Sequence, residues 1–373
     1  MIKVLTIVGT RPEIIKLSCI IRELETCTNH ILVHTGQNYD YELNEIFFKQ
    51  LGLRKPDYFL EAAGSNPAET IANVIKNSDL VFEKERPDAF LLYGDTNSCL
   101  SVISAKRRKI PVFHIEAGNR CFDQRVPEEN NRKIVDHLSD INITLSEHAR
   151  RNLLAEGIAS DRIFKAGSPM KEVFACYNNS IRNSDILEIL NLDKGKYFIV
   201  SAHREETVDD EKNLKQLIES IEEIHSRYGE KVLISTHPRT RRRLEEFGIK
   251  NQRKEILYMK PFGFFEYVKL MLNARCVISD SGTITEECSI LGFNAVMIRE
   301  AHERPEGMDA GTLIMCGIEK DRILNAIEIT LNQAGKDNRP SLIEDYDTEI
   351  VSRKIVNIIH SYYESINKKV WYK

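Results

Sequence analysis

Short apolar runs alternate with longer amphipathic stretches along most of the chain. In the first half the apolar runs, rich in β-branched residues, predict strands at residues 4–8, 31–35, 89–93, 112–115, 141–144 and 163–166. The stretches between them have helical periodicity and predict helices at residues 13–25, 68–84, 99–108, 128–138 and 147–155. This alternation is typical of a parallel sheet with helices on both faces.

The second half of the chain repeats the pattern. Its apolar runs predict strands at residues 197–201, 232–235, 256–258, 277–279 and 295–298, and its amphipathic stretches predict helices at 209–228, 239–247, 266–272, 283–291 and 322–331. A polar stretch at 177–184 is typical of a linker. We therefore predict an α/β protein with two doubly wound parallel-sheet domains, at 1–176 and 185–348, and a last helix within 349–373 that packs back on the first domain. Two such domains are expected to hold a ligand in the cleft between them.

Composition narrows the class of protein. The chain has 373 residues, of which 42% are hydrophobic and 29% charged, as in soluble globular proteins. A net charge of −4 offers no general attraction to nucleic acid, and no apolar run approaches the ~20 residues of a membrane span, so we expect neither partner. Eight scattered cysteines without a Cys-x-x-Cys pair indicate reduced thiols in a cytoplasm and no zinc site.

The first predicted strand leads into a candidate anion site. Gly9 permits a tight turn, Pro12 suits the first turn of a helix, and Arg11 and Lys16 follow at the carboxyl end of the strand. No Gly-x-Gly dinucleotide fingerprint and no Walker P-loop occur in the chain, so we expect no nicotinamide cofactor. The alternative is an ordinary strand–turn–helix with two solvated cations.

Three carboxylates also follow predicted strands of the first domain or begin the next helix. Asp95 and Glu116 come directly after strands, and Glu128 opens a helix on which Arg132 lies four residues later. That spacing predicts a Glu128–Arg132 pair that holds Glu128 charged. Carboxylates gathered at one sheet edge favour a functional site, whereas each one alone is explained as a helix cap or a partner of the helix dipole.

The second domain has two histidines after successive strands, His203 and His237, without ligands at metal-binding spacing. Its clearest motif is at residues 279–287 (SDSGTITEE), where the backbone amides of Ser281 and Gly282 form a candidate cradle for a diphosphate at a helix start. Glu287 is then placed to reach a ribose diol, and Arg304 to supply a positive charge. A capping box at residues 283–286 is the structural alternative.

Taken in order, these motifs resemble the non-hydrolysing UDP-N-acetylglucosamine 2-epimerase family. The likeness rests on residues 9–13 (GTRPE), 94–96 (GDT), 116–118 (EAG), 127–129 (PEE), 203–204 (HR), 280–282 (DSG) and 304–306 (RPE). The chain is most similar to the UDP-N-acetyl-L-fucosamine synthase branch, through residues 34–40 (HTGQNYD), 116–123 (EAGNRCFD) and 299–307 (REAHERPEG).

The resemblance implies two Rossmann-like domains in the arrangement called GT-B, a homodimer, and no cofactor. It implies catalytic roles for four residues, with the histidine facing the acids across the cleft: Asp95, Glu116, Glu128 and His203. It implies anion contacts from three cations, Arg11, Lys16 and Arg132, and UDP contacts from a second set: Ser281, Gly282, Thr283, Glu287 and Arg304. Tyr267 matches an aromatic residue near the uracil.

Some positions depart from the UDP-N-acetylglucosamine enzymes. The segment between Glu116 and Glu128 is about two residues shorter, Thr283 replaces a glycine, and Asp40 replaces a glutamine of a second, activating nucleotide-sugar site. The last change weakens the expectation of regulation by the substrate. We therefore expect UDP-2-acetamido-2,6-dideoxy-β-L-talose to be converted to UDP-N-acetyl-L-fucosamine for bacterial capsule or O-antigen. UDP-N-acetylglucosamine 2-epimerisation, a GT-B glycosyltransferase, a hydrolysing epimerase and a nucleotide-sugar sensor are the alternatives.

Overall fold

The computed structural model describes residues 1–36, 47–249, 253–334 and 340–373. Within these residues the chain forms two compact units. One consists of Met1–Cys176 together with Asp345–Lys373, and the other of Tyr177–Glu344.

The described part of the first unit contains a seven-stranded parallel sheet. Its strands are β1 (Lys3–Val8), β2 (Asn29–His34), β3 (Tyr58–Phe59), β4 (Ala89–Tyr93), β5 (Val112–Ile115), β6 (Ile141–Thr144) and β7 (Ile163–Lys165). They lie in the order β3-β2-β1-β4-β5-β6-β7, and Thr6 of β1 is opposite Leu32 on one side and Leu91 on the other. The ends of β1, β4 and β5 are therefore neighbours at one edge.

Helices connect these strands. They are α1 (Arg11–Cys27), α2 (Pro67–Glu85), α3 (Val102–Arg107), α4 (Pro127–Leu138), α5 (Glu147–Ala155) and α6 (Met170–Cys176), with short 3-10 helices at Asn97–Ser101 and Ser160–Arg162. Helix α1 buries Ile14, Leu17, Ile21 and Leu24, which recur every three or four residues and so share one face.

The end of the chain returns to the first unit. A 3-10 helix at Glu344–Tyr346 precedes the last helix of the chain, α16 (Val351–Lys369). Helix α16 packs against α1, and its Ile355 and Ile359 are completely buried.

The second unit begins with α7 (Asn178–Arg182) and α8 (Ile186–Ile189). Its sheet has the strands β8 (Tyr197–Ser201), β9 (Lys231–Ser235), β10 (Ile256–Met259), β11 (Cys276–Ser279), β12 (Ala295–Met297) and β13 (Ile314–Met315), in the parallel order β10-β9-β8-β11-β12-β13. The remaining helices are α9 (Glu205–Val208), α10 (Glu211–Tyr228), α11 (Pro238–Glu246), α12 (Phe264–Asn273), α13 (Ile284–Leu291), α14 (Glu306–Asp309) and α15 (Lys320–Ala334). Apolar residues of β8, β9 and α10 form the core of this unit.

Several local expectations differ from the structure. The stretch at 177–184, expected to be a linker, contains helix α7, because Ile181 is buried and anchors it against α12. The short edge strands β3 and β13 were not predicted, since two residues are too few to carry a periodic pattern. The helix expected at 99–108 begins as a 3-10 helix and becomes an α-helix only at Val102.

Candidate functional site

The sheet order of the first unit brings three predicted site segments to one edge. Arg11 follows β1, Asp95 follows β4, and Glu116 follows β5, and these strands are consecutive in the sheet. Helix α4 begins after the next loop and carries Glu128 and Arg132. The first-unit residues predicted from the sequence therefore lie on adjoining loops and helix starts.

Glu116 is paired with a cation at this edge. Lys16 Nζ lies 2.7 Å from Glu116 Oε2, and the Tyr93 hydroxyl donates to the same oxygen at 2.5 Å. The side chains of Lys16 and Glu116 are only 6% and 11% exposed, so water screens this pair little. Lys16 also lies over the Tyr93 ring, 5.2 Å from its centre. Glu116 has a φ of +69°, a conformation that costs a non-glycine residue roughly 1–3 kcal/mol and clusters at functional sites.

Arg132 has other partners than the one predicted. Its Nε donates to Asp95 Oδ2 at 2.7 Å, and its Nη1 donates to Glu129 Oε2 at 2.7 Å. The expected Glu128–Arg132 pair is wrong, because the guanidinium contacts the carboxylate of Asp95 on another loop and that of the buried Glu129. Burial opposes ionisation of Glu129, but the Cys121 amide and Arg132 outweigh it and lower the pKa of Glu129.

Glu128 makes no side-chain hydrogen bond or ion pair with any residue that the structure describes, and it is partly exposed. The helix cap that was considered for Asp95 is supplied by Thr96, whose side chain accepts the Ser98 amide. Asp95 thus directs its carboxylate to Arg132, while Glu128 is left open to solvent or to a ligand.

A buried network, not predicted from the sequence, supports the Glu116 loop. The Asp136 carboxylate is hydrogen-bonded to His114 Nδ1 at 2.8 Å and to the Gly118 amide at 3.1 Å, and it pairs with Arg120 Nη1 at 2.8 Å. Burial alone raises the pKa of this carboxyl, but His114 and Arg120 outweigh it and lower the pKa of Asp136. His114 Nε2 bonds the Gly94 carbonyl at 2.8 Å, so one network ties together the loops after β4 and β5. A polar histidine within an apolar strand was the available signal.

Arg11 lies in the first turn of α1 with its guanidinium 4.1 Å from the centre of the Phe47 ring. Burial lowers the pKa of Arg11. A cation that is partly removed from water binds anions more strongly than an exposed one.

In the second unit, Asp280 organises the loop after β8. This fully buried carboxylate accepts the amides of His203 and Arg204, each at 2.8 Å, through Oδ2. Its Oδ1 lies 3.3 Å from Nδ1 of His203. The imidazole of His203 is 43% exposed and lies 5.6 Å, centre to centre, from that of His237. Asp280 is therefore the carboxylate partner of His203 that the sequence analysis missed, although it lies in the motif at 280–282.

The predicted diphosphate cradle lies at the start of α13. The hydroxyls of Ser281 and Thr283 share a hydrogen bond, with their oxygens 3.0 Å apart. The Thr283 hydroxyl donates to Glu287 Oε1 at 3.1 Å. The capping box considered for residues 283–286 is not formed, because Thr283 makes no side-chain cap and Glu286 turns to Arg304. Glu287 is only partly buried and so stays reachable by a ligand.

Arg304 is engaged beneath this loop. Its Nε and Nη2 lie 2.7 and 2.6 Å from Glu286 Oε1, and both side chains are almost fully buried. A Cβ on Gly282 would lie 2.9 Å from both Arg304 Nη1 and Glu303 Oε2, so a larger residue there requires these side chains to shift. The placement of Arg304 fits support of the loop from below.

Tyr267 lies on α12, where its ring stacks on Phe262 with centres 6.5 Å apart and planes 18° apart. Burial and the nearby carboxylate of Glu287 raise the pKa of Tyr267, which also bonds Ser201. Tyr267, Ser201 and Glu287 thus lie together in the second unit.

No group of three or more His, Cys, Asp or Glu side chains among the described residues could hold a metal ion. No helix in the described ranges is long and apolar enough to cross a membrane. Asp40, which weakened the expectation of regulation by substrate, lies outside the described residues.

Comparisons with known proteins place the chain in a family. The family model described as UDP-N-acetylglucosamine 2-epimerase matches residues 22–360. A solved UDP-N-acetylglucosamine 2-epimerase from Rickettsia bellii is 55% identical, with a TM-score of 0.93 and full coverage of both chains. The Methanocaldococcus jannaschii UDP-GlcNAc 2-epimerase, solved with UDP-GlcNAc and UDP, is 35% identical, with a TM-score of 0.89 over 96% of this chain and 99% of that one.

A third relative acts on another sugar: the UDP-2,3-diacetamido-2,3-dideoxy-D-glucuronate 2-epimerase of Pseudomonas aeruginosa is 32% identical over 90% of this chain and 94% of its own. The predicted fold class, two α/β parallel-sheet domains of the GT-B type, is confirmed by the solved structures. This chain belongs to the non-hydrolysing UDP-N-acetylglucosamine 2-epimerase family and is an isomerase.

Proposed function

We propose that this chain interconverts two C2 epimers of a UDP-2-acetamido sugar by eliminating UDP and adding it back. The observation that carries the proposal is the set of carboxylates at the edge formed by β1, β4 and β5. Glu116 is held by Lys16, Asp95 is held by Arg132, and Glu128 is open. The family to which the chain belongs supplies the reaction class.

The chemistry of the sugar explains why carboxylates are needed. C2 of a 2-acetamido sugar has no adjacent carbonyl, so a base cannot remove its proton to form an enolate. When a base takes that proton, the C1–O bond can break toward UDP, and a double bond forms between C1 and C2. The product is a 2-acetamidoglycal and UDP. A proton delivered to the opposite face of C2, with UDP returning to C1, completes the inversion.

We assign the proton transfers to Glu116 and Glu128, since two carboxylates on opposite sides of C2 suit removal on one face and return on the other. Lys16 contacts Glu116 at 2.7 Å and stabilises its charged form. Asp95 is assigned to the same catalytic group, oriented by Arg132. His203, oriented by Asp280, completes the catalytic set.

We assign UDP to the second unit, with Arg11, Lys16 and Arg132 as additional anion contacts. The Gly282 amide precedes a helix start, which favours a diphosphate there, and the Ser281 amide, which donates to Ser279 Oγ at 3.0 Å, would have to exchange that partner for the ligand. Glu287 is placed for the ribose diol and Tyr267 for the uracil, while Thr283 and Arg304 shape the loop. Donors fixed before the reaction stabilise the charge that develops on the leaving diphosphate.

For the sugar, we propose UDP-2-acetamido-2,6-dideoxy-β-L-talose, converted to UDP-N-acetyl-L-fucosamine for capsule or O-antigen synthesis in the cytoplasm. The support is the shortened segment at 117–127 and the likeness to the fucosamine branch. UDP-N-acetylglucosamine is the second candidate, supported by the named activity of the relatives at 55% and 35% identity.

We also propose that the protein is a homodimer, and sedimentation equilibrium tests this oligomeric state.

One experiment tests the reaction. The protein is incubated with each UDP-sugar in D2O and followed by proton NMR. We expect deuterium at C2 with the UDP–sugar bond retained. Release of free sugar and UDP indicates a hydrolysing epimerase, transfer to an added acceptor indicates a glycosyltransferase, and binding without exchange indicates a sensor; each of these outcomes contradicts the proposal.

A second experiment tests the sugar. We expect the higher kcat/KM with the 6-deoxy-L-sugar and weak activity with UDP-N-acetylglucosamine, because a pocket shaped for a methyl group rejects an added hydroxyl by only roughly 100-fold. A clear preference for UDP-N-acetylglucosamine would refute the fucosamine proposal and leave the epimerase chemistry intact.

A further inference from the structure

Glu13 is a buried carboxylate that the proposed mechanism does not use. It lies in the first turn of α1 and is only 3% exposed. Its Oε2 accepts the amides of Gly9 at 2.5 Å and Thr10 at 3.2 Å. Its Oε1 accepts the hydroxyl of Ser98 at 2.9 Å and that of Thr96.

These partners come from two different loops. Gly9 and Thr10 belong to the loop after β1, which leads to Arg11, whereas Thr96 and Ser98 directly follow Asp95 after β4. Strands β1 and β4 are neighbours, with Val4 opposite Ala89. The Glu13 carboxylate therefore joins the loop that carries Arg11 to the loop that carries Asp95.

We call the Glu13 carboxylate and its hydrogen bonds to Gly9, Thr10, Thr96 and Ser98 the bridge. Glu13 differs in its partners from other buried carboxylates of this unit. Asp136 is in contact with His114 and Arg120, and Glu129 with Arg132. Glu13 makes no ion pair with a described residue, and its four partners are neutral donors. Burial, only partly offset by hydrogen bonds from Thr96, Gly9, Ser98 and Thr10, raises the pKa of Glu13 to about 7.

Both protonation states of Glu13 are thus accessible near neutral pH, and they fit the bridge differently. The ionised carboxylate can accept all four hydrogen bonds. A protonated carboxyl has an O–H that needs an acceptor, and the Gly9 and Thr10 amides cannot provide one. Thr96 or Ser98 must then turn from donor to acceptor and give its own proton to the other hydroxyl, whose oxygen lies 2.8 Å away. The charge-assisted hydrogen bonds that hold the loop carrying Asp95 to the ionised carboxylate are thereby replaced by weaker neutral ones.

We propose that Glu13 is a positioning residue that holds the Arg11 and Asp95 loops together when it is ionised, so that its protonation lowers the rate of epimerisation. This role rests on the proposed function, because it is defined for that reaction. Glu13 is not assigned to touch the substrate.

Other titratable groups surround this bridge and must be separated from it. They lie on α1, at or after the end of β4, after β5 and on α4: Arg11, Lys16, Tyr93, Asp95, Cys99, Glu116 and Arg132. Burial, together with the charges of Glu13 and Asp95, raises the pKa of the Cys99 thiol, so this group stays neutral through the relevant range. The test therefore uses variants that alter only the bridge.

The first variant is Glu13→Gln. The carbonyl oxygen of the glutamine side chain can still accept the Gly9 and Thr10 backbone amides, and its NH2 group, which only donates, replaces the oxygen that faces Thr96 and Ser98. In wild type we expect kcat/KM to rise as pH increases through about 7. In Glu13→Gln we expect kcat to fall about 10- to 100-fold, the scale of a misplaced catalytic group. We also expect the rise near pH 7 to disappear.

The second variant gives a shift in a known direction. Ser98→Ala removes one hydrogen bond that stabilises the ionised carboxylate, so the rise in kcat/KM should move to higher pH by about one unit. This substitution is small and keeps the Thr96 hydroxyl, so it reports on the bridge even if Glu13→Gln folds poorly. Circular dichroism checks the fold of each variant.

The matched control is Glu69→Gln. Glu69 occupies the same position in the first turn of α2, after a proline, and accepts the Ser65 amide at 2.7 Å, but it is exposed. We expect its rate and pH profile to match wild type. A pH profile that keeps the same rise near pH 7 in Glu13→Gln, or one that does not move in Ser98→Ala, overturns the positioning role alone. A wild-type protein that epimerises no UDP-2-acetamido sugar overturns both the proposed function and this role.

Discussion

Four carboxylates near one sheet edge differ in what surrounds them, and this difference assigns their chemistry. Glu116 is paired with Lys16, and Asp95 with Arg132. Glu128 has no partner among the described side chains, and Glu13 has only neutral donors. Asp95 is fixed by a direct 2.7 Å contact with a guanidinium, whereas the side chain of Glu128 is open to a ligand.

The first prediction concerns Glu116. In Glu116→Gln the side chain keeps its shape and loses its charge, so proton transfer fails and turnover should fall at least ~100-fold. UDP affinity, measured by calorimetry, should change little, because the residues assigned to UDP that surround Ser281 belong to the second unit.

Glu219→Gln, the same change at an exposed position of α10, serves as the control and should retain wild-type turnover. Near-normal turnover in both Glu116→Gln and Glu128→Gln would contradict the assignment of proton transfer to these residues.

At this scale the sequence predicted which residues gather at the sheet edge but not how they pair. Helical spacing placed Arg132 beside Glu128, yet Arg132 contacts Asp95, which is 37 residues away along the chain. Spacing on a helix describes only neighbours on that helix, and it does not include a carboxylate that the fold brings in from another loop. Asp280 was missed as the partner of His203 for the same reason, since the two are 77 residues apart. Glu13 was missed as the partner of Thr96 and Ser98, although its contact with the Thr10 amide is a local one at the start of α1.

At the scale of elements, the loop after β5 depends on how closely it passes α5. Gly118 has a φ of +81°, and a Cβ there would lie 2.3 Å from the carbonyl oxygen of Ala149. Glu116 lies two residues before Gly118, so the packing of this loop on α5 fixes the position of the Glu116 backbone.

The second prediction compares two glycines with the same backbone conformation. Gly118→Ala should destabilise the protein by roughly 2–4 kcal/mol, because it adds a backbone clash to the strain of a left-handed alanine. Gly157→Ala is the matched variant, with a φ of +86° and nothing within 4 Å of the added Cβ. It should cost only about 1–2 kcal/mol.

Urea denaturation of both variants measures the difference between them. Equal losses of stability would show that the approach of Ala149 to Gly118 carries no energetic cost. A larger loss in Gly118→Ala, together with reduced turnover of the folded fraction, is the expected result.

Elements were also where sequence analysis succeeded most clearly. Strands such as β1 and β4 are buried on both faces, so their apolar runs were continuous and easy to recognise. The stretch at 177–184 was mistaken for a linker because its polar residues outnumber its two buried anchors, Tyr177 and Ile181. Tertiary packing, which a local pattern does not contain, decided that segment.

At the scale of the whole molecule, the two α/β units divide the proposed work. The carboxylates and the Lys16 and Arg132 cations belong to the first unit, and the Ser281–Gly282 loop with Glu287 belongs to the second. The proposed elimination uses proton transfer and charge stabilisation by these side chains and backbone amides.

The third prediction is therefore that the reaction needs no added metal ion. Activity should survive EDTA followed by dialysis, and adding Mg²⁺ or Mn²⁺ back should leave the rate unchanged. An activity that is lost with the chelator and restored by one divalent ion would contradict this expectation.

The return of α16 to the first unit has a consequence for synthesis. The first unit begins with β1 but includes a helix that starts at Val351, after the entire second unit. At ribosomal speed, roughly 10–35 seconds separate the end of α6 from the appearance of α16. During that interval the surface of α1 that later packs against α16 is not yet covered by that helix. The domain that starts to form first is therefore completed last, and a chain terminated before Val351 lacks the helix that packs on α1.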